Sequence, residues 1–312
     1  MGYVISTVNM KGGVGKTTLS VNLAAALAKY YDKKVLVVDL DTQISATLSL
    51  MSPSDFAKVR KEKRTLRQLV NQTINPKAPP IFSTQEIIVP YVAKVKGLDL
   101  LVGDIELYDE YLVSEVLHEQ AVREGSKNFE QIWNNFERVL VKKILQPVLK
   151  NYDFVILDCA PGYNLLTQSG IISSNFYLLP AKPEPLSLIG IQLLERRIAK
   201  LREAHPPDEL INMQLMGIVF TMSGTLITGR YYRQVMERVN QDFSATKIFK
   251  TRIPTDVNIS KAVDSFMPVV LTNPSTVGSK AFIKLTGEFL EKLKLVVGVK
   301  EQTKNVSLTE MD

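Results

Sequence analysis

Short apolar runs alternate along the chain with longer stretches of helical periodicity. Tyr3–Val8, Val35–Asp39, Leu98–Val102, Phe154–Asp158, Phe176–Pro180 and Gly217–Thr221 are almost continuously apolar, as strands covered on both faces of a parallel sheet should be. Between them Thr17–Tyr31, Asn128–Lys150, Ile189–Ala204, Tyr231–Phe243 and Ser279–Leu295 read as helices. The alternation predicts βαβ units, and hence an α/β fold with one doubly wound, mostly parallel sheet flanked by helices. Chemistry in such a sheet collects at the carboxyl ends of the strands. Residues 52–95 break the rhythm with a basic run (Lys58, Arg60, Lys61, Lys63, Arg64, Arg67) and the segment Asn75-Pro76-Lys77-Ala78-Pro79-Pro80, and read as an excursion from the core. A second polar stretch spans Asp109–Asn128. A single domain is expected over 1–299, followed by a polar, frayed tail over 300–312.

Composition removes several classes of function. Of 312 residues 45% are apolar and 22% charged, which suits a packed globular chain. The single cysteine, Cys159, can form no internal disulfide and no cysteine metal cage, and reads as a small apolar filler at a strand end. His118 and His205 lie far apart, so no zinc chemistry is expected and neither is given a role. No apolar run approaches the roughly 18 residues of a membrane span, and Tyr3–Val8 ends at a Lys-Gly-Gly turn rather than a cleavage site, so a cytoplasmic protein is expected.

The sharpest chemical signal is Lys11-Gly12-Gly13-Val14-Gly15-Lys16-Thr17-Thr18, placed between a strand and a helix. The general P-loop pattern asks for glycine five residues before Gly15, where this chain has Met10. The chemistry does not depend on that glycine. Three glycines let backbone N–H groups converge on phosphate oxygens, the following helix turns its positive end toward them, Lys16 adds a full charge, and Thr17 offers a hydroxyl to Mg²⁺. Asp39 and Asp41 end one strand and Asp158 ends another, where magnesium on nucleotide phosphates needs carboxylates.

These residues resemble the deviant Walker A ATPases. Lys11–Thr18 is similar to the box with an additional lysine ahead of the glycines; Asp39-Leu40-Asp41-Thr42-Gln43 resembles the box written D-x-D-P-Q, and Leu157-Asp158-Cys159-Ala160-Pro161 its Walker B strand. With Gly97–Val102, Asp104–Leu107, Pro183–Gly190 and Ile253–Val257, the chain is similar to ParA-type partition ATPases of the ParA/MinD superfamily over most of its length. The resemblance implies a P-loop fold, ATP and Mg²⁺ as cofactors, and a homodimer that sandwiches two ATP molecules. Lys11 would reach the partner's phosphates, Lys16 and Thr17 would hold phosphate and Mg²⁺ in their own chain, Asp41 would orient the attacking water, and Asp39 and Asp158 would support the metal. Pro254 and Asp256 fall in the nucleotide-side segment usually written I-P-R-N-V, which here reads Ile253-Pro254-Thr255-Asp256-Val257 and lacks the arginine. No helix-turn-helix segment precedes the first strand, so operator-specific repression is not expected.

The net charge is +6, from 38 basic and 32 acidic residues, and its distribution matters more than its size. Residues 225–285 hold nine basic and four acidic side chains, a local excess of +5. Such clustering, with no base-reading motif, fits sequence-independent binding of DNA phosphates, with Arg230, Arg233, Arg252, Lys261 and Lys280 as candidate contacts. The basic run in 52–95 is a second candidate surface and reads as a solvated helix face. The expected function is segregation or positioning of a cargo on nonspecific DNA, nucleoid-associated, with slow hydrolysis stimulated by a ParB-like or other adaptor. A MinD-like membrane-associated ATPase is the alternative, and the polar residues Glu301, Gln302, Asn305, Glu310 and Asp312 oppose it by disfavouring insertion.

Overall fold

Successive side chains along each apolar run point to opposite faces, and both faces are covered. In the computed structural model, which describes residues 2–75, 79–123, 125, 128–203, 213–222, 235, 237–239, 241 and 243–309, the runs become six strands. They are β1 (Tyr3–Thr7), β2 (Val35–Asp39), β3 (Leu98–Leu101), β4 (Phe154–Asp158), β5 (Phe176–Ala181) and β6 (Gln214–Phe220). Every pairing is parallel, in the order β3-β2-β4-β1-β5-β6. Leu36, Val38, Val155 and Leu157 pack into one core, while their neighbours Val35, Val37, Phe154 and Ile156 pack into another across the sheet.

The helices are α1 (Lys16–Tyr31), α2 (Ser45–Leu48), α3 (Pro53–Lys61), α4 (Leu66–Ile74), α5 (Thr84–Ile87), α6 (Glu110–Arg123), α7 (Phe129–Leu145), α8 (Leu165–Ile172), α9 (Pro185–Glu203), α10 (Val257–Asp264), α11 (Val269–Thr272) and α12 (Val277–Thr309). Ala24, Ala25, Ala26 and Ala28 are buried in α1, so this helix lies close between the sheet and α12. The hydroxyls of Tyr30 and Tyr31 then reach the carbonyls of Val270, at 2.8 Å, and Ile283, at 3.3 Å.

Several boundaries differ from the sequence reading. The helix expected over Asn128–Lys150 ends at Leu145, since Pro147 cannot continue it. The polar stretch Asp109–Asn128 contains α6, which buries only Val113, Leu117 and Ala121. α12 continues to Thr309, past residue 299 where the polar tail was expected to begin. Most of the helix expected over Tyr231–Phe243 lies outside the described residues, as does His205. The basic run of the excursion is not a simple solvated face. Arg60 lies 3.4 Å from Asp104 and Arg67 pairs with Glu106 at 2.5 Å, which fastens the segment to the chain just past β3, while Arg64 donates to the Glu86 carbonyl within the excursion itself. Among the described residues no helix is long and apolar enough to cross a membrane.

One ionisable group sits in the core without a full complement of partners. Phe129, Trp133 and Glu137 share a face of α7, and Glu137 is 3% exposed. Its Oε1 accepts no hydrogen bond among the described residues, and burial pushes its pKa up to about 7 despite a hydrogen bond from Trp133. A carboxyl with a raised folded-state pKa keeps its proton while the unfolded chain loses it. Stability therefore falls as pH rises from about 4.5 to about 7 and stays low above that. Glu137→Gln should be stabilising by up to about 3 kcal/mol at pH 8 and near neutral at pH 4.5, as read by thermal denaturation at both values.

Candidate functional site

The site forms where the central strand β1 ends. Its neighbours β4 and β5 bring Asp158 and Leu178 alongside Thr7, so the loop Val8–Gly15 is built over the middle of the sheet. Asn9 fixes the start of the loop: its Nδ2 donates to the Pro180 carbonyl at 2.8 Å and its Oδ1 accepts from the Lys11 N–H at 2.9 Å. Gly13 and Gly15 have left-handed backbone, with φ of 69° and 84°. A Cβ on Gly12 or Gly13 would meet nothing within 4 Å, so the loop lines open space. Gly15 caps α1 without a side chain, and no acidic residue occupies the first turn, which leaves the N-terminal N–H groups available to an anion.

Lys16 is 6% exposed and its Nζ donates to the Lys11 carbonyl at 3.2 Å. Burial lowers its pKa, and the charges of Asp158 and Asp41 oppose that shift. Val14 is buried beneath the loop. Thr221, just past β6, supports it by donating from its hydroxyl to the Val14 carbonyl at 2.7 Å.

The carboxylates assemble behind the loop. Register between β2 and β4 sets Asp39 opposite Asp158, both fully buried. Thr17 and Ser20, three residues apart on α1, donate to the two oxygens of Asp158 at 2.7 Å each. Burial still pushes Asp158 up to about 6, against the pull of those hydroxyls and of Lys16. Burial first, and the Asp158 charge second, push Asp39 to about 7. Asp39 accepts backbone N–H groups from Thr47 at 2.8 Å and Asp41 at 3.2 Å, so its oxygens organise the β2 end rather than facing the loop. Asp41, 7% exposed, accepts from the Gln43 N–H at 3.0 Å through Oδ1, and its Oδ2 takes no hydrogen bond among the described residues.

A magnesium ion fits this donor set. Among the described residues no group of three His, Cys, Asp or Glu side chains could cage a metal alone. Thr17 and Asp158 beside an open anion cradle instead suit a metal that takes its remaining oxygens from phosphate and water.

Of the residues expected from sequence, Lys11 to Thr18, Asp39, Asp41 and Asp158 come together. Pro254 is half-buried ahead of α10. Asp256 holds helices together: its carboxylate accepts from the N–H groups of Asn258 and Gly278, both at 2.8 Å, which lowers its pKa. Arg252, Lys261 and Lys280 are exposed, on the segment before α10, on α10 and on α12. Arg230 and Arg233 lie outside the described residues. Ser20, Thr47, Gly103 and Thr221 were not anticipated. Only Ser20 carries a sequence signal, a hydroxyl one helical turn beyond Thr17.

Residues 2–215 match a family model described as an AAA domain. The sporulation initiation inhibitor protein Soj of Bacillus subtilis is 31% identical over 288 residues, covering 92% of this chain and 98% of its own. The chromosome-partitioning ATPase Soj of Treponema pallidum is 28% identical, covering 94% and 98%. Among solved structures, the cell division ATPase MinD of Pyrococcus furiosus has a similar fold, with a TM-score of 0.64 and 24% identity over 94% of this chain and all of its own.

The close approach of β3 to the site gives a direct test. A Cβ on Gly103 would lie 3.0 Å from Asp39 Cγ, and the Gly103 N–H donates to Thr47 Oγ1 at 3.0 Å. Gly103→Ala should lower stability by about 1–3 kcal/mol in denaturant unfolding, through displacement of Asp39 and Thr47 together.

Proposed function

The chain belongs to the ParA-type partition ATPases of the ParA/MinD superfamily, and from that premise we propose that it is an ATP-switched dimer working on nonspecific DNA. In this reading two chains sandwich two Mg·ATP, hold DNA phosphates while ATP is intact, and separate when an adaptor protein stimulates hydrolysis, so that a cargo is segregated or positioned. The observation that carries the nucleotide half of the reading is the junction of Thr17, Ser20 and Asp158 under an open glycine cradle, with Lys16 buried beside it.

Each residue has a physical task. Backbone N–H groups of Gly12 to Thr18 and the start of α1 bind phosphate oxygens, and Lys16 neutralises part of their charge. Thr17 and Asp158 would hold the metal, and Asp39, opposite Asp158 on the neighbouring strand, adds a second negative charge that favours a cation there. Magnesium supplies neutralisation of the charge that builds on the phosphates. Asp41 orients the attacking water, with one oxygen fixed by Gln43 and the other open to accept. Among the described residues Asp41 has no side-chain hydrogen-bond partner that could act as a strong base, which suits slow turnover. Lys11 contributes from the partner chain, so charge stabilisation is complete only in the dimer. Ile189 and Leu193, one turn apart on α9, are 54% and 47% exposed, and a second copy would cover them.

DNA contact rests on the exposed Arg252, Lys261 and Lys280, with Arg230 and Arg233 as further candidates from the basic region. A dimer doubles the phosphates neutralised, and each contributes roughly −0.9 to the slope of log affinity against log salt. In mobility shifts with random-sequence duplex, binding should need ATP, fail with ADP, and weaken in Lys261→Glu/Lys280→Glu. No binding with ATP at low salt would move the weight to membrane positioning, and vesicles of anionic lipid would then be the next substrate.

Two substitutions separate binding from hydrolysis. Lys16→Ala should abolish ATP binding in equilibrium titration. Asp41→Ala should bind ATP and accumulate as a dimer in sedimentation, because the phosphate contacts remain while water is no longer oriented.

A further inference from the structure

The lysine expected to act in the partner chain is held by its own. Lys11 Nζ donates to Glu184 Oε1 at 2.5 Å, although 173 residues separate the two in sequence. The strand order explains the meeting: β5 lies beside β1, so the turn from β5 into α9 stands next to the phosphate loop. Glu184 is fixed within that turn. Proline precedes and follows it, which restricts its backbone, and its N–H and C=O are bonded to Lys182 and Ser187. Asn9 restrains the other partner through the Lys11 N–H. Both side chains are about two-fifths exposed, so the pair lies at the rim of the cradle, in reach of a second molecule.

We propose that Glu184 is a positioning residue that latches Lys11 within its own chain, so that dimerisation exchanges the glutamate for the partner's phosphates. The inference rests on the reading of Lys11 as the residue that crosses the interface. A half-exposed ion pair is weak, favouring the latched arrangement by a few-fold per chain. A polyphosphate carries more charge than one carboxylate and can take the lysine from it. Two latches open per dimer, so the effect on the dimerisation constant is the product of both. The latch therefore raises the nucleotide occupancy needed before chains pair, without touching the nucleotide contacts of the same chain.

The test uses the full chain with Mg²⁺ and a non-hydrolysable ATP analogue, with the dimer Kd read by sedimentation equilibrium. Glu184→Gln should tighten the dimer roughly three- to ten-fold, with Glu184→Asp falling between it and the unaltered chain. In the Lys11→Ala background the same Glu184→Gln change should do nothing, since its effect passes through Lys11. A second readout needs no dimer: acylation of Lys11 in the nucleotide-free chain, followed by peptide mass spectrometry, should be faster in Glu184→Gln. Weaker dimerisation in Glu184→Gln would place the carboxylate inside the dimer and overturn the latch. An equal gain in the Lys11→Ala background would reduce it to a general charge effect and overturn it as well. If no form dimerises, the crossing role of Lys11 has failed, and acylation alone judges the latch; unchanged labelling refutes it.

Discussion

Two carboxylates buried side by side at the ends of adjacent strands are the constraint around which the rest is arranged. Asp39 and Asp158 face each other across the β2–β4 register with no solvent contact; burial raises the proton affinity of both, and the Asp158 charge raises that of Asp39 further. A pair like this is tolerable only where hydrogen bonds meet its oxygens and positive charge is near. Thr17 and Ser20 meet those of Asp158, the N–H groups of Thr47 and Asp41 meet those of Asp39, and Lys16 supplies the charge. A divalent cation would relieve the remaining repulsion, so the same strain that burdens the free chain favours Mg·ATP.

The lysines divide this electrostatic task by position. Lys16 is enclosed, loses proton affinity through burial, and can serve only the cradle of its own chain. Lys11 stands at the rim and is held by Glu184. One lysine is thus fixed and the other transferable, which is the asymmetry that a switch based on dimerisation requires.

Much of this was legible in the sequence, and the reason is local. Lys11–Thr18 forms an open cradle through backbone geometry that its glycines permit wherever strand and helix flank it, and Asp39 and Asp158 announce themselves by ending apolar runs. What escaped depends on contacts between distant segments. Gly103 looks like any loop glycine until β3 is laid against Asp39, and Thr221 supports Val14 from 207 residues away. Asp256 was read as part of the nucleotide segment, yet its carboxylate ties α10 to α12. α6 was missed because so little of it is buried that its pattern is polar.

The account turns on Thr17 and Asp158 completing a metal and phosphate site, and calorimetric titration of ATP with Mg²⁺ or with chelator tests it most directly. The unaltered chain should bind ATP several-fold more tightly with Mg²⁺, and Asp158→Asn should lose that gain while still binding metal-free ATP through the loop. Equal affinity with and without Mg²⁺ in the unaltered chain would contradict the site as described.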